Sequence, residues 1–314
     1  MARFVQYTQF GGPEVLEIVD GEVPQAGAGE VVVEVRAAGV NPIDAKLRSG
    51  LRSSPPIDAP RGTGTDAAGV VSEVGAGVTD WQLGDEVIVA GARGSYATHT
   101  VVAAAGLTRK PGALSWAQAA GIGIPAATAY QALRSLEVGA DTTLLLHAAS
   151  GAVGQAALQF AREVGATVIG TASPVNHDRV RQLGGTPVAY GPGLVDRLRA
   201  IAPGGVDVVL DGAGSDEAIE ASLELVTDPQ RVGTIVRGAD APRWGIRAWG
   251  GGSSVPLTAE EKGWRAEGVR LAAELATAGR YDVEIARSLP LDQAAEAQRL
   301  IEQGHLRGKI VLLP

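Results

Sequence analysis

The residues best arranged for chemistry lie between positions 143 and 174. Leu144, Leu145 and Leu146, an apolar run suited to a buried strand, lead into a turn of small residues, Ala148-Ala149-Ser150-Gly151-Ala152-Val153-Gly154. Val153, Ala157, Phe160, Ala161 and Val164 then share one face of a helix that Gly165 ends, and residues 167–171 read as a second buried strand. A helix N-terminus presents unpaired N–H groups and partial positive charge, which suit a pyrophosphate. Gly151 lets the backbone approach such a group, and Gly154 lets the helix pack closely on the strand. This is the pattern of a βαβ dinucleotide-binding unit, with Ala149 in place of the first glycine of G-x-G-x-x-G. Ser150, Gly151, Ala152, Val153 and Gly154 are the expected cradle. The competing reading is a structural glycine turn, in a chain with 43 glycines.

NAD-binding units place an acidic residue about 20 positions past the glycines, on the ribose 2′-hydroxyl. Here that position is near Ser173, in Gly170-Thr171-Ala172-Ser173-Pro174, and no carboxylate is present. The hydroxyls of Thr171 and Ser173 could accept a 2′-phosphate, with Asn176, His177 and Arg179 nearby as donors, so NADPH is the expected cofactor. His177 and Arg179 read equally well as a solvated helix start.

Composition narrows the chemistry. The 314 residues suffice for two domains, and 45% hydrophobic with 20% charged residues fits a globular protein. Net charge is −8, with lysine and arginine scattered, so neither nucleic acid nor an anionic membrane is favoured as partner. No apolar run approaches the roughly eighteen residues a membrane span requires, and MARFVQYTQF lacks a signal-peptide core; a cytoplasmic protein is expected. Cysteine is absent, which removes disulfides, thiolate nucleophiles and Cys-ligated zinc. His99, His147, His177 and His305 show no ligand spacing, so no metal site is expected.

The elements that must position these residues fall into three stretches. Strand candidates at 16–19, 30–38, 68–74, 86–90 and 98–102, separated by Gly, Pro and Asp clusters, suggest a barrel-like β domain. Helices follow, one capped by Ser115 and one over 126–136. After the βαβ unit, strands at 187–190, 206–211, 231–236 and 246–249 alternate with helices at 176–183, 194–201 and 217–226, the signature of a doubly wound parallel sheet. Thr258 and Glu261 form a capping-box pattern opening a helix to about 278. A strand at 283–289, a helix at 291–303 and a strand at 310–313 complete a tail expected to return to the N-terminal β domain.

Several motifs in order carry a family resemblance: Gly11-Gly12-Pro13-Glu14-Val15-Leu16, Gly39-Val40-Asn41-Pro42-Ile43-Asp44, Gly64-Thr65-Asp66-Ala67-Ala68-Gly69 with Val74-Gly75, and Gly84-Asp85-Glu86-Val87. Pro125-Ala126-Ala127-Thr128-Ala129-Tyr130, the 148–154 turn, Val206-Asp207-Val208-Val209-Leu210-Asp211 and Arg307-Gly308-Lys309-Ile310-Val311-Leu312 continue it. Over essentially its whole length the chain resembles the zinc-independent, quinone oxidoreductase (zeta-crystallin-like) branch of the medium-chain dehydrogenase/reductases.

The resemblance implies an α/β fold: a GroES-like β-barrel catalytic domain over 1–122, completed by 255–314, and a Rossmann NADP-binding domain with a doubly wound parallel sheet over 123–254. It implies a homodimer that uses NADPH to reduce a quinone or an α,β-unsaturated carbonyl without zinc. Zinc-free carbonyl or alcohol oxidoreduction is the alternative, and a non-catalytic NADPH-binding protein a third reading. Zinc-dependent relatives carry Cys where Asn41 stands and His-Glu where Thr65-Asp66 stand. Asn41 matches an asparagine near the nicotinamide whose amide could donate to the substrate oxygen. Asp44 is a candidate of the same loop, with a structural role as cap of a short helix over 45–48. Lys46, where some relatives have tyrosine, could donate to an oxyanion or the cofactor ribose, or be a surface lysine. Thr128 matches a threonine near the nicotinamide, and Tyr190 a phosphate-contacting tyrosine; Val236, ending its strand, completes the expected cofactor contacts. Tyr96 and His147 read as packing residues, and Trp244 and Trp249 as substrate-stacking rings or aromatic core.

Overall fold

The computed structural model describes residues 1–251, 253–304 and 306–314. The chain forms two compact units, Met1–Ile124 with Val269–Pro314, and Pro125–Gly268.

The first unit is built on the strand Glu30–Val40, whose valines are buried because it pairs on both sides. It runs antiparallel to Asp66–Val74, to His99–Ala103 and to the C-terminal strand Lys309–Leu313. The seven-stranded sheet continues through Glu86–Ala90 to Leu107–Arg109 on one side and to Ile285–Pro290 on the other. Val33, Val35, Val71, Val87, Val89, Ile310 and Leu312 meet in one core. A second sheet orders Glu17–Gly21, Ala2–Tyr7 and Arg61–Gly62. The tail thus does return to the N-terminal strands: Ile310 stands opposite Val40, and Gly39 opposite Asp66. Three strands, Ala2–Tyr7, Arg61–Gly62 and Leu107–Arg109, were not among the sequence candidates, and the second has only two residues. Ala2–Tyr7 buries only Ala2, Val5 and Tyr7, an interrupted alternation, and Leu107–Arg109 offers a single buried side chain.

The second unit is a six-stranded, wholly parallel sheet. Its spatial order is Thr186–Val188, Thr167–Thr171, Thr143–His147, Val208–Asp211, Val232–Thr234, Arg247–Ala248. Numbered along the chain this is 3-2-1-4-5-6, the doubly wound arrangement of dinucleotide-binding domains. A short helix, Ala241–Trp244, lies where no helix was expected.

The expected boundary at 254/255 falls at 268/269 instead. The helix Ala259–Thr277 opens on the Thr258/Glu261 capping box, with reciprocal bonds of 2.8 and 3.1 Å. Glu261 then accepts from the Trp249 indole at 2.8 Å, and Glu267 from the Tyr130 hydroxyl at 2.6 Å. These partners hold the first half of the helix to the parallel-sheet unit.

Candidate functional site

The turn after Thr143–His147 is shaped by backbone. Ala148 takes a left-handed φ of 59°, which costs a non-glycine residue about 1 kcal/mol. Its N–H donates to the Thr171 hydroxyl at 3.3 Å, and the Ala149 N–H to the Thr171 carbonyl at 3.0 Å, which pins the turn to the neighbouring strand. The helix Ala152–Glu163 follows, with Gly151 as its cap residue.

Its two glycines have different causes. A Cβ on Gly154 would lie 2.3 Å from the Ala148 carbonyl oxygen and 2.7 Å from the Ala149 Cα, so helix–strand packing itself excludes a side chain. Gly151 has ordinary φ and ψ of −73° and 167°, and a Cβ there would meet only the Ala148 oxygen, at 3.4 Å. Among the described residues nothing requires glycine at Gly151. The open space lies at the helix start, where the first amides lack intrahelical partners, and a pyrophosphate fits both facts.

Beside this cradle the Asn176 amide donates to Ser150 Oγ at 3.3 Å and to Ser173 Oγ at 3.0 Å. All three side chains are half-buried, and no carboxylate occurs between the strand Thr167–Thr171 and His177. Three expected phosphate contacts are engaged elsewhere. Thr171 is buried, and its hydroxyl, bonded to Ala148 N–H and 3.1 Å from His147 Nδ1, is turned inward rather than toward a 2′-phosphate. His177 Nε2 sits 3.2 Å from the Ala172 carbonyl, and Arg179 donates to Gln155 at 2.9 Å. Tyr190 is half-exposed at 53%. Val236 gives its N–H to the Thr234 hydroxyl at 3.2 Å, which in turn donates to buried Asp211 at 2.7 Å. Thr128 is buried in the helix Gly123–Ser135.

His147 is fully buried, between Thr171 and the Ser222 hydroxyl at 3.2 Å, and burial lowers its pKa to about 4. Both tryptophans serve their own domain. Trp249 is 5% exposed beneath the Arg247 guanidinium, and Trp244 packs on the sheet core beneath Arg237.

The first unit holds a buried polar network that the sequence reading resolved only in part. Asn41 precedes the helix Pro42–Arg48, which starts three residues earlier than expected because Pro42 suits a first helical position. Asp44, the third helical residue, accepts the Asn41 backbone N–H at 2.9 Å, so it fixes the helix start by reaching back. The Asn41 side chain is fully buried, contrary to its expected contact with a substrate oxygen. Its amide donates to Asp66 Oδ2 at 2.9 Å and to Thr65 Oγ1 at 3.1 Å, and its oxygen accepts from Lys309 Nζ. Thr65 donates to Asp44 Oδ1 at 3.0 Å, and the Tyr96 hydroxyl to Asp44 Oδ2 at 2.9 Å. Lys309 Nζ also lies 3.6 Å from Asp66 Oδ2, which accepts the Ile124 N–H as well. Lys46 is half-buried, with its pKa lowered by burial and by Arg52, and it stands outside this network.

Burial sets the electrostatics here. Asp44 is pushed up to about 6 by desolvation, only partly offset by its Asn41 and Tyr96 bonds. Burial also raises Asp66 and Tyr96 and lowers Lys309. Tyr96, Asp66 and Lys309 were not proposed as site residues. The available signal was Lys309 itself, a lysine opening the otherwise apolar strand Lys309–Leu313, since a buried ammonium demands a partner.

Two family models match the chain, one within the first unit and one running from the second unit into the C-terminal part of the first. The GroES-like domain of alcohol dehydrogenases matches residues 27–112, and the zinc-binding dehydrogenase family matches residues 183–312, although this chain has no cysteine. Quinone oxidoreductase 1 of Escherichia coli K12 is 33% identical over the full length of both chains. Human quinone oxidoreductase is 31% identical over 100% of this chain and 98% of its own. A solved structure of an Escherichia coli quinone oxidoreductase complexed with NADPH superposes with a TM-score of 0.84 at 29% identity, covering 99% of this chain and 100% of that one. A 3-2-1-4-5-6 sheet with an open glycine at its first helix, a GroES-like β domain and full-length identity to quinone oxidoreductases together place the chain in the quinone oxidoreductase family of medium-chain dehydrogenase/reductases.

Proposed function

We propose that the chain is an NADPH-dependent oxidoreductase that reduces a quinone or an α,β-unsaturated ketone or aldehyde without zinc. The observation that carries this reading is Gly151, a glycine that the protein's own packing does not need, at the start of the first helix of a 3-2-1-4-5-6 sheet. When bound, the cofactor supplies the hydride. The backbone at 150–154 holds its pyrophosphate. Ser150, Ser173 and Asn176, already joined by hydrogen bonds, hold the 2′-phosphate. The NADPH in the related solved structure and the names of the full-length relatives support the cofactor and the substrate class. The family resemblance supports a homodimer as the working form.

The test is a turnover screen with NADPH and NADH across quinones, enals and enones, with product analysis. The expected result is a kcat/KM at least tenfold higher with NADPH, and saturated ketone as the product from enones. Comparable kcat/KM with both nucleotides would remove the phosphate assignment, and allylic alcohol would transfer the enzyme to carbonyl reduction.

A further inference from the structure

The network around Asp44 encloses two carboxylates, Asp44 and Asp66, and one ammonium, Lys309, all at most 3% exposed. Fully ionised, it would bury a net negative charge, which a protein interior avoids by retaining a proton. Lys309 faces Asp66 and Asn41, whereas Asp44 is met, among the described residues, directly by neutral donors alone: Asn41 N–H, Tyr96 O–H and Thr65 O–H. Of the side chains that form this network, Thr65 alone is half-buried rather than fully buried.

Hydrogen-bond inventory then fixes a direction. When Asp44 carries a proton on Oδ1, it donates to Thr65 Oγ1, which already accepts from the Asn41 amide. Both acceptor sites of the hydroxyl are then occupied, so its own hydrogen must point out of the network. Tyr96 and Asn41 hold the other carboxylate oxygen and cannot serve as the exit.

The geometry points to Asp44 and Thr65 as a proton relay for the reductase: Thr65 protonates the oxyanion left by hydride addition and is reprotonated by Asp44. This rests on the enone or quinone reading above. As hydride forms the new C–H bond at the substrate's β-carbon, the C=C pair becomes the new Cα=C bond and the C=O pair moves onto oxygen. The enol formed when that oxygen is protonated then gains a proton at Cα and loses its O–H proton to solvent, which gives the saturated ketone. The Thr65 O–H bond breaks as the substrate O–H bond forms, the Asp44 proton passes to Thr65, and Asp44 is left a carboxylate that solvent reprotonates after turnover. Thr65 is the catalytic residue, and Asp44 acts through it. Asn41 positions Thr65, which gives its buried amide a role without substrate contact. Burial, with Asp66 adding to it and Lys309 opposing it, keeps the Asp44 pKa near 6, so the relay is charged with its proton at and below that pH.

The experiment compares wild type with Thr65→Val, Thr65→Ser and Asp44→Asn. It measures kcat between about pH 5 and pH 9 on the enone or quinone that wild type reduces fastest, the solvent deuterium isotope effect, and NADPH affinity by fluorescence titration. The expected wild-type kcat falls above about pH 6. Thr65→Val and Asp44→Asn lower kcat about 100-fold, lose that inflection and bind NADPH within about twofold of wild type, while Thr65→Ser recovers most of the rate. A Thr65→Val enzyme with the wild-type kcat and pH profile, or a Thr65→Ser enzyme as impaired as Thr65→Val, overturns the relay. Wild type inert toward every enone and quinone overturns the functional reading instead.

Discussion

In the turn at 148–154 the capacity to bind comes from backbone and from missing side chains, whereas around Asp44 it comes from buried side chains with half-buried Thr65 at their edge. The turn is neutral, local in sequence and half-exposed. The network is charged, buried and drawn from four separate segments, 41–44, 65–66, 96 and 309. A nucleotide phosphate is a fixed anion, so aligned N–H groups and open space suffice. Moving a proton needs a group whose pKa has been displaced toward neutrality, and only burial among specific partners achieves that. Among the described residues the network also keeps one strained feature: Asp66 Oδ1 is buried with no hydrogen-bond partner.

The network should break first and hardest. Lys309→Met leaves two buried carboxylates without a cation and should cost about 3–5 kcal/mol, read as a fall in urea midpoint. In the turn, Gly154→Ala drives a methyl group into the Ala148 carbonyl and should cost about 3 kcal/mol by the same measurement.

The two regions should also answer pH in opposite senses. His147 resists protonation down to about 4, below the 6.5 of an unfolded histidine, so stability falls as pH drops through that window, by about 3 kcal/mol. Asp44 holds its proton up to about 6, above the 3.8 of the unfolded chain, so its contribution is full below 3.8 and is lost as pH rises through 6, again by about 3 kcal/mol. Urea unfolding from pH 3.5 to 7 on His147→Asn and Asp44→Asn should flatten one slope each. If either variant keeps the wild-type slope, its group is not the one that titrates.

The smallest effects separate binding from folding. Gly151→Ala should leave stability within about 0.5 kcal/mol yet weaken NADPH about tenfold, since its Cβ enters space that the protein itself leaves open. Asn176→Ala should lower kcat/KM for NADPH about fivefold while sparing NADH. A Gly151→Ala protein that binds NADPH like wild type would make that glycine incidental.

Much of the second unit was legible beforehand because its signals are local. Residues 167–171 and 194–201 were located as strand and helix to the residue, and Gly154 was assigned its packing role, since a small-residue turn between apolar runs has few alternatives. Thr171 was misjudged because sequence shows a hydroxyl but not the face of the strand from which it projects. Asn41 shows the same limit: its place in the loop is legible in sequence, and only the structure shows that its amide bonds Thr65 and Asp66.

By itself, the amino-acid sequence determined the alternation of strands and helices, the turn at 148–154, the lack of cysteine ligands and the family. Periodicity, small residues and composition act within about one turn or one strand, so they survive as linear patterns. Only the tertiary structure decided which polar groups meet. Pairing Ile310 with Val40 and Gly39 with Asp66 brings Lys309, Asn41 and Asp66 together across some 270 positions of chain. The sheet register that does this depends on the whole core, and the displaced Asp44 pKa exists only once that core has excluded water.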